Sequence, residues 1–405
     1  MPSQSCDAYK VCVPRVFIPT FITFSLSSTA VNSMFHLLGQ LPTQDSEIGV
    51  ILQSLFSFAF IIYLFYAQRI QSMTMLRQIE VTLRKIKGLR DKGKETAISV
   101  IREMGKPERD PTPQVERFME HFMIEPVGMD PAGVVGKLGQ LLNVREFTFE
   151  KEVEVMAPEA TDAERNNMEN LLEASLALNV FYKVIRHYYL LGKKTMNIYV
   201  IMQIHMILPM IVQQIEAYSS ALQAFSDGIP IGDSVGPIVA AKLMNGSEIR
   251  EVAKEMVAGE ITYEGRRVIV TKALGPGGSV GKPGDAVANL LKENEGKVSM
   301  LITVDAAGKL EGEEVGEIAE GVGAAIGGPG VEKYKMEKAA TDYKVPMYAV
   351  AIKQGMEHVV APLVEPLFDA TDKAVASVKG LILDYSKEGD TVIVAGIGNT
   401  VGVAQ

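Results

Sequence analysis

Two aspartates and three glycine clusters are the residues of this chain best suited to chemistry. Asp305 follows the apolar run Val298–Val304, and Gly396-Ile397-Gly398-Asn399-Thr400 follows a second run, Thr391–Ala395. Asp233 lies in Gly232-Asp233-Ser234-Val235-Gly236-Pro237, ahead of a helical segment. Taken alone, Asp233 fits a helix N-cap and Asp305 a turn residue at a strand end. The third cluster, Gly275–Gly284 with Gly277 and Gly278, lacks the G-x-x-x-x-G-K-[ST] spacing of a phosphate loop and reads as a glycine turn. Gly396–Gly402 resembles a dinucleotide fingerprint, but too few residues follow it to form the helix that would face a pyrophosphate. His187 and His205 fall in helical sequence and read as structural.

The elements that must hold these residues follow from the pattern of apolar runs. Arg267–Val270, Val298–Val304, Met347–Ile352 and Thr391–Ala395 are short and nearly continuously apolar, and helical stretches separate them. That alternation predicts strands of a parallel sheet covered on both faces. In such sheets ligands bind beyond the carboxyl ends of the strands, which is where Asp305 and the Gly396 cluster fall. Upstream the grammar is helical. Ile70, Met73, Leu76, Ile79, Leu83, Ile86 and Leu89 recur at helical spacing. Thr161 with Glu164 forms a capping-box signature that opens a helix towards Leu191. Met196–Val212 is apolar but contains Gln203, His205 and Pro209, so it reads as a packed core helix.

Composition narrows the function classes. The 405 residues carry 40 Lys+Arg against 49 Asp+Glu, a net charge of −9, which excludes a nucleic-acid binder relying on general positive charge. The two cysteines, Cys6 and Cys12, exclude a disulfide scaffold and a thiolate zinc site. From Ile48 to Gln68 no residue is charged, and about 20 apolar residues match the thickness of a bilayer. Asp45 and Glu47 precede this run, whereas Arg69, Arg77, Arg84, Lys85 and Lys87 follow it, so the C-terminal part is expected in the cytoplasm. Residues 16–41 are a second, weaker candidate span, and Met34 is an alternative start.

Read with its tail first, the C-terminal sequence resembles a known family. Thr391–Thr400 (TVIVAGIGNT) placed ahead of Pro230–Leu243 (PIGDSVGPIVAAKL) resembles the opening of the germination protease of spore-forming bacteria, and the hydrogenase maturation peptidases open in a similar way. Ala273–Glu293, Met300–Leu310 and Gly321–Ile352 resemble successive later segments of that protease. The likeness covers residues 227–405 and implies a circular permutation, with the family's first strand moved to the C-terminus. It also implies roles: Asp233 and Asp305 match the protease's proposed catalytic aspartates, and Lys333 and Lys335 match basic positions. Hydrogenase maturation peptidases carry a carboxylate metal ligand where this chain has Ser234, which counts against nickel recognition. As a whole, the chain resembles an uncharacterised family of archaeal membrane proteins.

These readings define the expectations. The fold is α/β: an N-terminal transmembrane helix (48–68) after an N-terminal segment (1–47), an all-helical middle region (69–225), and a C-terminal three-layer α/β domain (226–405). The sheet of that domain is expected to be mostly parallel, of a permuted phosphorylase/hydrolase-like type. The function implied is a membrane-anchored, cytoplasm-facing hydrolase with an aspartate pair, Asp233 and Asp305. Gly396, Gly398, Asn399, Gly232, Gly236, Gly277 and Gly278 are expected to form its binding loops. The alternative is a non-catalytic, membrane-anchored binding or scaffold protein. No cofactor is expected; a divalent metal held by Asp233, Asp305 and His358 is the minor alternative. The expected partners are the lipid bilayer and a protein or peptide substrate, with self-association left open.

Overall fold

All four apolar runs lie at the centre of one seven-stranded sheet. A computed structural model describes residues 47–128 and 133–404 of the chain, which divides into two compact units, Met1–Gln71 and Ser72–Gln405. The second candidate span, both cysteines and the alternative start fall outside the described residues.

The strands are β1 (Ile249–Ala253), β2 (Met256–Tyr263), β3 (Arg266–Ala273), β4 (Met300–Gly308), β5 (Ile318–Val322), β6 (Met347–Gln354) and β7 (Thr391–Gly396), in the spatial order β1-β2-β3-β7-β4-β6-β5. Strands β3, β7, β4 and β6 run parallel. The flanks are antiparallel, β1 and β2 on one side and β5 on the other. The expectation of a mostly parallel sheet is therefore corrected to a mixed sheet. Part of the reason is turn chemistry. Lys254-Glu255 and Glu264-Gly265 are two-residue loops, and Glu264 (φ 44°) and Gly265 (φ 74°) take the positive φ values of a tight hairpin turn.

Helices cover both faces of the sheet. On one face, α6 (Val235–Met244) and α10 (Glu365–Tyr385) share a core with the sheet through Val239, Val304, Val394 and Ala374. On the other, α7 (Pro283–Glu293) and α8 (Val331–Tyr343) do so through Ile269, Leu290, Ile393 and Met336. The short helix α9 (Met356–Val359) follows β6. The last strand, β7, lies between β3 and β4, so the segment after it emerges at the carboxyl edge of the sheet, beside the start of α6.

Ahead of this domain come α1 (Glu47–Val100), α2 (Thr112–Phe118), α3 (Val134–Met156), α4 (Asp162–Thr195) and α5 (Ile198–Asp227). In the first unit, α1 contains the expected span, and its described side chains Val50, Ile51, Leu55, Phe58 and Ile61 are exposed. In the second unit, Ile79, Ile86, Phe118, Phe149, Leu171 and Ile215 belong to one helical core. Among the described residues, α5 is the one helix long and apolar enough, by length and composition, to cross a membrane. It differs from the expected core helix. Ile201, Ile204 and Leu208 are buried on one face, whereas Tyr199, Met206 and Met210 are exposed on the opposite one.

Thr161 and Glu164 close a reciprocal capping box at the start of α4. The Glu164 N–H donates to Thr161 Oγ1 (3.3 Å), and the Thr161 N–H donates to Glu164 Oε2 (2.7 Å). Thr161→Ala is expected to cost about 1 kcal/mol and Thr161→Ser much less. Denaturant midpoints of the two variants check this; equal midpoints would refute it.

Candidate active site

Each aspartate is positioned by backbone rather than by a basic partner. Asp305 lies in the last part of β4 and is 6% exposed. Its Oδ1 accepts from the Ala306 N–H (2.7 Å) and its Oδ2 from the Gly327 N–H (3.1 Å). The loop that supplies Gly327 is itself fixed to β4, because the Ala325 N–H donates to Thr303 Oγ1 (2.8 Å).

Asp233 sits in a single 3₁₀ turn, Gly232–Ser234, directly before α6. Its carboxylate does not cap that helix, since the N-cap position is Ser234. Instead Asp233 Oδ2 accepts the Asn399 N–H (2.8 Å) from the segment after β7. The first and last parts of the domain thus meet at this carboxylate.

Close backbone approach makes that meeting possible. A Cβ on Gly236 would lie 2.2 Å from the Ile397 carbonyl oxygen, and one on Gly396 would lie 2.4 Å from that of Gly236. Gly398 has φ 133°, and a Cβ there would lie 2.0 Å from the Asp233 carbonyl oxygen. Any side chain at these positions would push the C-terminal loop away from the turn that bears Asp233.

The two aspartates line one cleft of about 550 Å³. Ile397 and Gly398 contribute to its wall, as do the loop Ile326–Gly330, the start of α8, Lys282 and the first half of α3. Burial raises the pKa of Asp233 despite its bond from Asn399. Burial also holds the pKa of Asp305 well above 3.8, and the negative charge of Asp233 raises it further against two backbone hydrogen bonds. Two coupled, desolvated carboxyls of this kind titrate as a pair, and loss of the first proton makes loss of the second harder.

The remaining expected site residues divide by role. Gly398 lines the cleft, and no described hydrogen bond takes its N–H. The Ile397 N–H donates to the Val304 carbonyl (2.8 Å), and that of Asn399 is taken by Asp233. Gly232, Gly236 and Gly396 allow backbone packing rather than lining the cleft. Gly277 and Gly278, expected in the binding loops, do not line this cleft and pack on α4. A Cβ on Gly277 would meet the Ala163 backbone at 2.8 Å. The Gly278 N–H donates to Asn167 Oδ1 (2.8 Å), while Asn170 Nδ2 donates to the Gly278 carbonyl (2.6 Å). His358 does not line the cleft; its carbonyl packs against Gly232, and its Nδ1 makes no hydrogen bond. Among the described residues no group of three His, Cys, Asp or Glu is arranged to hold a metal ion. Lys335 lines the cleft and pairs with Asp285 and Glu332, whereas Lys333 lies 3.8 Å from Glu337.

Sequence reasoning missed the contribution of the helical region. Val135, Gly139, Gln140 and Asn143 of α3 line the cleft. Lys282, also at the wall, pairs with Glu146 of the same helix. No local motif announces this wall.

The raised carboxyls fix the sign of a pH dependence. Folding increases their proton affinity above the usual 3.8, so the stability of the fold falls as pH rises from there through the raised values. Asp233→Asn removes one titrating group and its repulsion of Asp305. As pH rises from about 4 through the raised values, the thermal midpoint of the wild type should fall relative to that of the variant. Parallel curves would contradict this coupling.

A family model described as the N-terminal domain of a protein of unknown function (DUF1512) matches residues 53–228, and one for the DUF1512 C-terminal domain of unknown function matches residues 231–404. No curated protein and no solved structure matches the chain. The two models meet between α5 and the turn that bears Asp233. With both halves matched in order along one chain, the protein belongs to the DUF1512 family.

Proposed function

We propose that this protein is a membrane-anchored, cytoplasm-facing hydrolase in which Asp233 and Asp305 act together on a peptide bond. One observation carries the reading: two carboxyls distant in sequence line one cleft, and the charge of Asp233 helps to hold the proton of Asp305. A pair holding one proton has a base and an acid in the same place.

The ionised carboxylate takes a proton from water as the water oxygen attacks the scissile carbonyl carbon. The protonated partner donates to the carbonyl oxygen as negative charge develops there. The Gly398 N–H, which has no described acceptor, is the backbone donor available for the same oxygen. Collapse of the tetrahedral adduct breaks the C–N bond, and the proton first taken from water passes to the leaving amine. Val135, Val280, Ile326 and Val331 give the cleft apolar surface for a peptide's side chains. The order of motifs after one rotation, similar to that of the germination protease, supports the same reading.

The membrane part rests on α1. Exposed Val50, Leu55, Phe58 and Ile61 fit lipid, and the basic residues after Gln68 fit the cytoplasmic side by the positive-inside rule.

The test is hydrolysis of a peptide mixture by the full chain in detergent, read by mass spectrometry. Asp233→Asn and Asp305→Asn should each lower turnover by about 10²–10⁴-fold without lowering the thermal midpoint. Undiminished turnover in both variants would refute the mechanism. Peptide binding without cleavage, altered by the same variants, would favour the non-catalytic module.

A further inference from the structure

The tip of the α4–α5 hairpin is not explained by the cleft or by the helical core. It comprises the end of α4, the connection through Met196 and Asn197, and the first four turns of α5. Leu76 of α1 lies against Gly192 within it, and Gln78 of α1 bonds His205. Tyr199 is 70% exposed, Met206 64% and Met210 65%, and these three share one face of α5, opposite buried Ile201, Ile204 and Leu208. Tyr188 and Leu190 of α4 and Met73 of α1 add exposed apolar surface. Only 22% of the apolar window of α5 is buried, so this helix is more apolar than its packing requires.

The charge around this surface is mostly positive: the neighbouring acid, Glu80, pairs with Arg84 and accepts a hydrogen bond from Tyr189. Residues 72–79 and 186–210 contain Arg77, Arg186, Lys193 and Lys194, and no Asp or Glu. All four basic residues are exposed. Apolar side chains, two exposed tyrosines and an excess of cations over the single paired acid are the composition of a surface that lies in a lipid interface. Such a surface buries its apolar face and offers its bases to anionic headgroups. A second copy of the chain would bring four more cations against these four, which disfavours self-association. Chain order adds a further argument, because the uncharged run Ile48–Gln68 ends shortly before Met73 in the same helix.

We propose that the α4–α5 tip is a lipid-binding surface that rests in the interface of an anionic bilayer, with Tyr199, Met206 and Met210 inserted and Lys193 and Lys194 at the headgroups. It is a contact separate from the run in α1. Because α5 shares its buried face with α1 and α4, it lies in the interface at one end and does not span.

The chain contains no tryptophan, so single-tryptophan variants report on one position each. The full chain is reconstituted in vesicles of anionic lipid containing brominated acyl chains, carrying Met206→Trp, Phe58→Trp or Leu310→Trp. Leu310 lies on an exposed loop after β4. Quenching of Met206→Trp should exceed that of Leu310→Trp several-fold, and adding Lys193→Glu with Lys194→Glu should reduce it while leaving Phe58→Trp unchanged. Quenching at Phe58 but not at Met206 would overturn this proposal and leave the anchor intact. Blue-shifted but unquenched emission at Met206 that depends on protein concentration would assign the surface to a second copy and also overturn it. Undiminished quenching after charge reversal would overturn the role of the lysines.

Discussion

The hydrogen bond from the Asn399 N–H to Asp233, with the glycine contacts around it, is the constraint on which the candidate site depends. It joins the loop after β7 to the turn before α6, segments near opposite ends of the domain sequence. Gly236, Gly396 and Gly398 let two backbones approach at distances that no Cβ would allow. Asp305 reaches the same cleft because β4 is the neighbour of β7, in a register that places Val304 opposite Gly396. The position of one central strand therefore sets the relation between both carboxyls.

The helical region is tied to the same point. Asn399 Nδ2 donates to Asn170 Oδ1 (3.0 Å), Asn170 Nδ2 donates to the Gly278 carbonyl, and the Val401 N–H donates to Asn399 Oδ1 (2.9 Å). One asparagine thus holds Asp233 through its backbone and α4 through its side chain. Lys282 and Lys254 extend the connection to α3 through Glu146 and Glu150. These partly exposed pairs contribute little net stability each, but they place α3 against the cleft, where it forms one wall. Because polar networks of this kind require specific geometry at every member, the helical region and the α/β domain cannot shift independently without loosening the Asp233 loop.

What was legible in the sequence follows from burial. Strands β3, β4 and β7 are buried on both faces over most of their length and so read as continuous apolar runs, while β6 is buried on one face and half-buried on the other. By contrast, β1 and β5 are short, mostly exposed and interrupted by charge (Ile-Arg-Glu-Val-Ala and Ile-Ala-Glu-Gly-Val) and gave no such signal. Asp233 was ambiguous for a physical reason: an aspartate before a helix has the same local sequence whether its carboxylate caps that helix or reaches a distant loop. The placement of Gly277 and Gly278 against α4 was not legible, because glycines that admit a ligand and glycines that admit a neighbouring helix look alike. The wall supplied by α3 was invisible, since nothing in Val135 or Asn143 encodes a contact so distant in the chain. The apolar character of α5 was plain, but which of its faces is packed depends on α1 and α4.

Perturbed titration alone does not single out the aspartates, and the contrast with other perturbed groups is informative. Burial pushes Lys272 down to about 8, but its Nζ donates to the Ala273 carbonyl and it does not line the cleft. Glu169 is pushed up to about 8 by burial and by Glu173, Glu150, Glu255 and Glu146, and it too is absent from the cleft wall. Asp233 and Asp305 differ in that they face one open cavity, and, as for Glu169, no basic side chain offsets their burial. A carboxyl pair held without a cation costs stability wherever it is ionised. Backbone amides from Asn399, Ala306 and Gly327 fix the geometry of that unfavourable pair. A fold that positions two mutually repelling acids in the wall of one cleft accepts an energetic cost of the kind that clusters at functional sites.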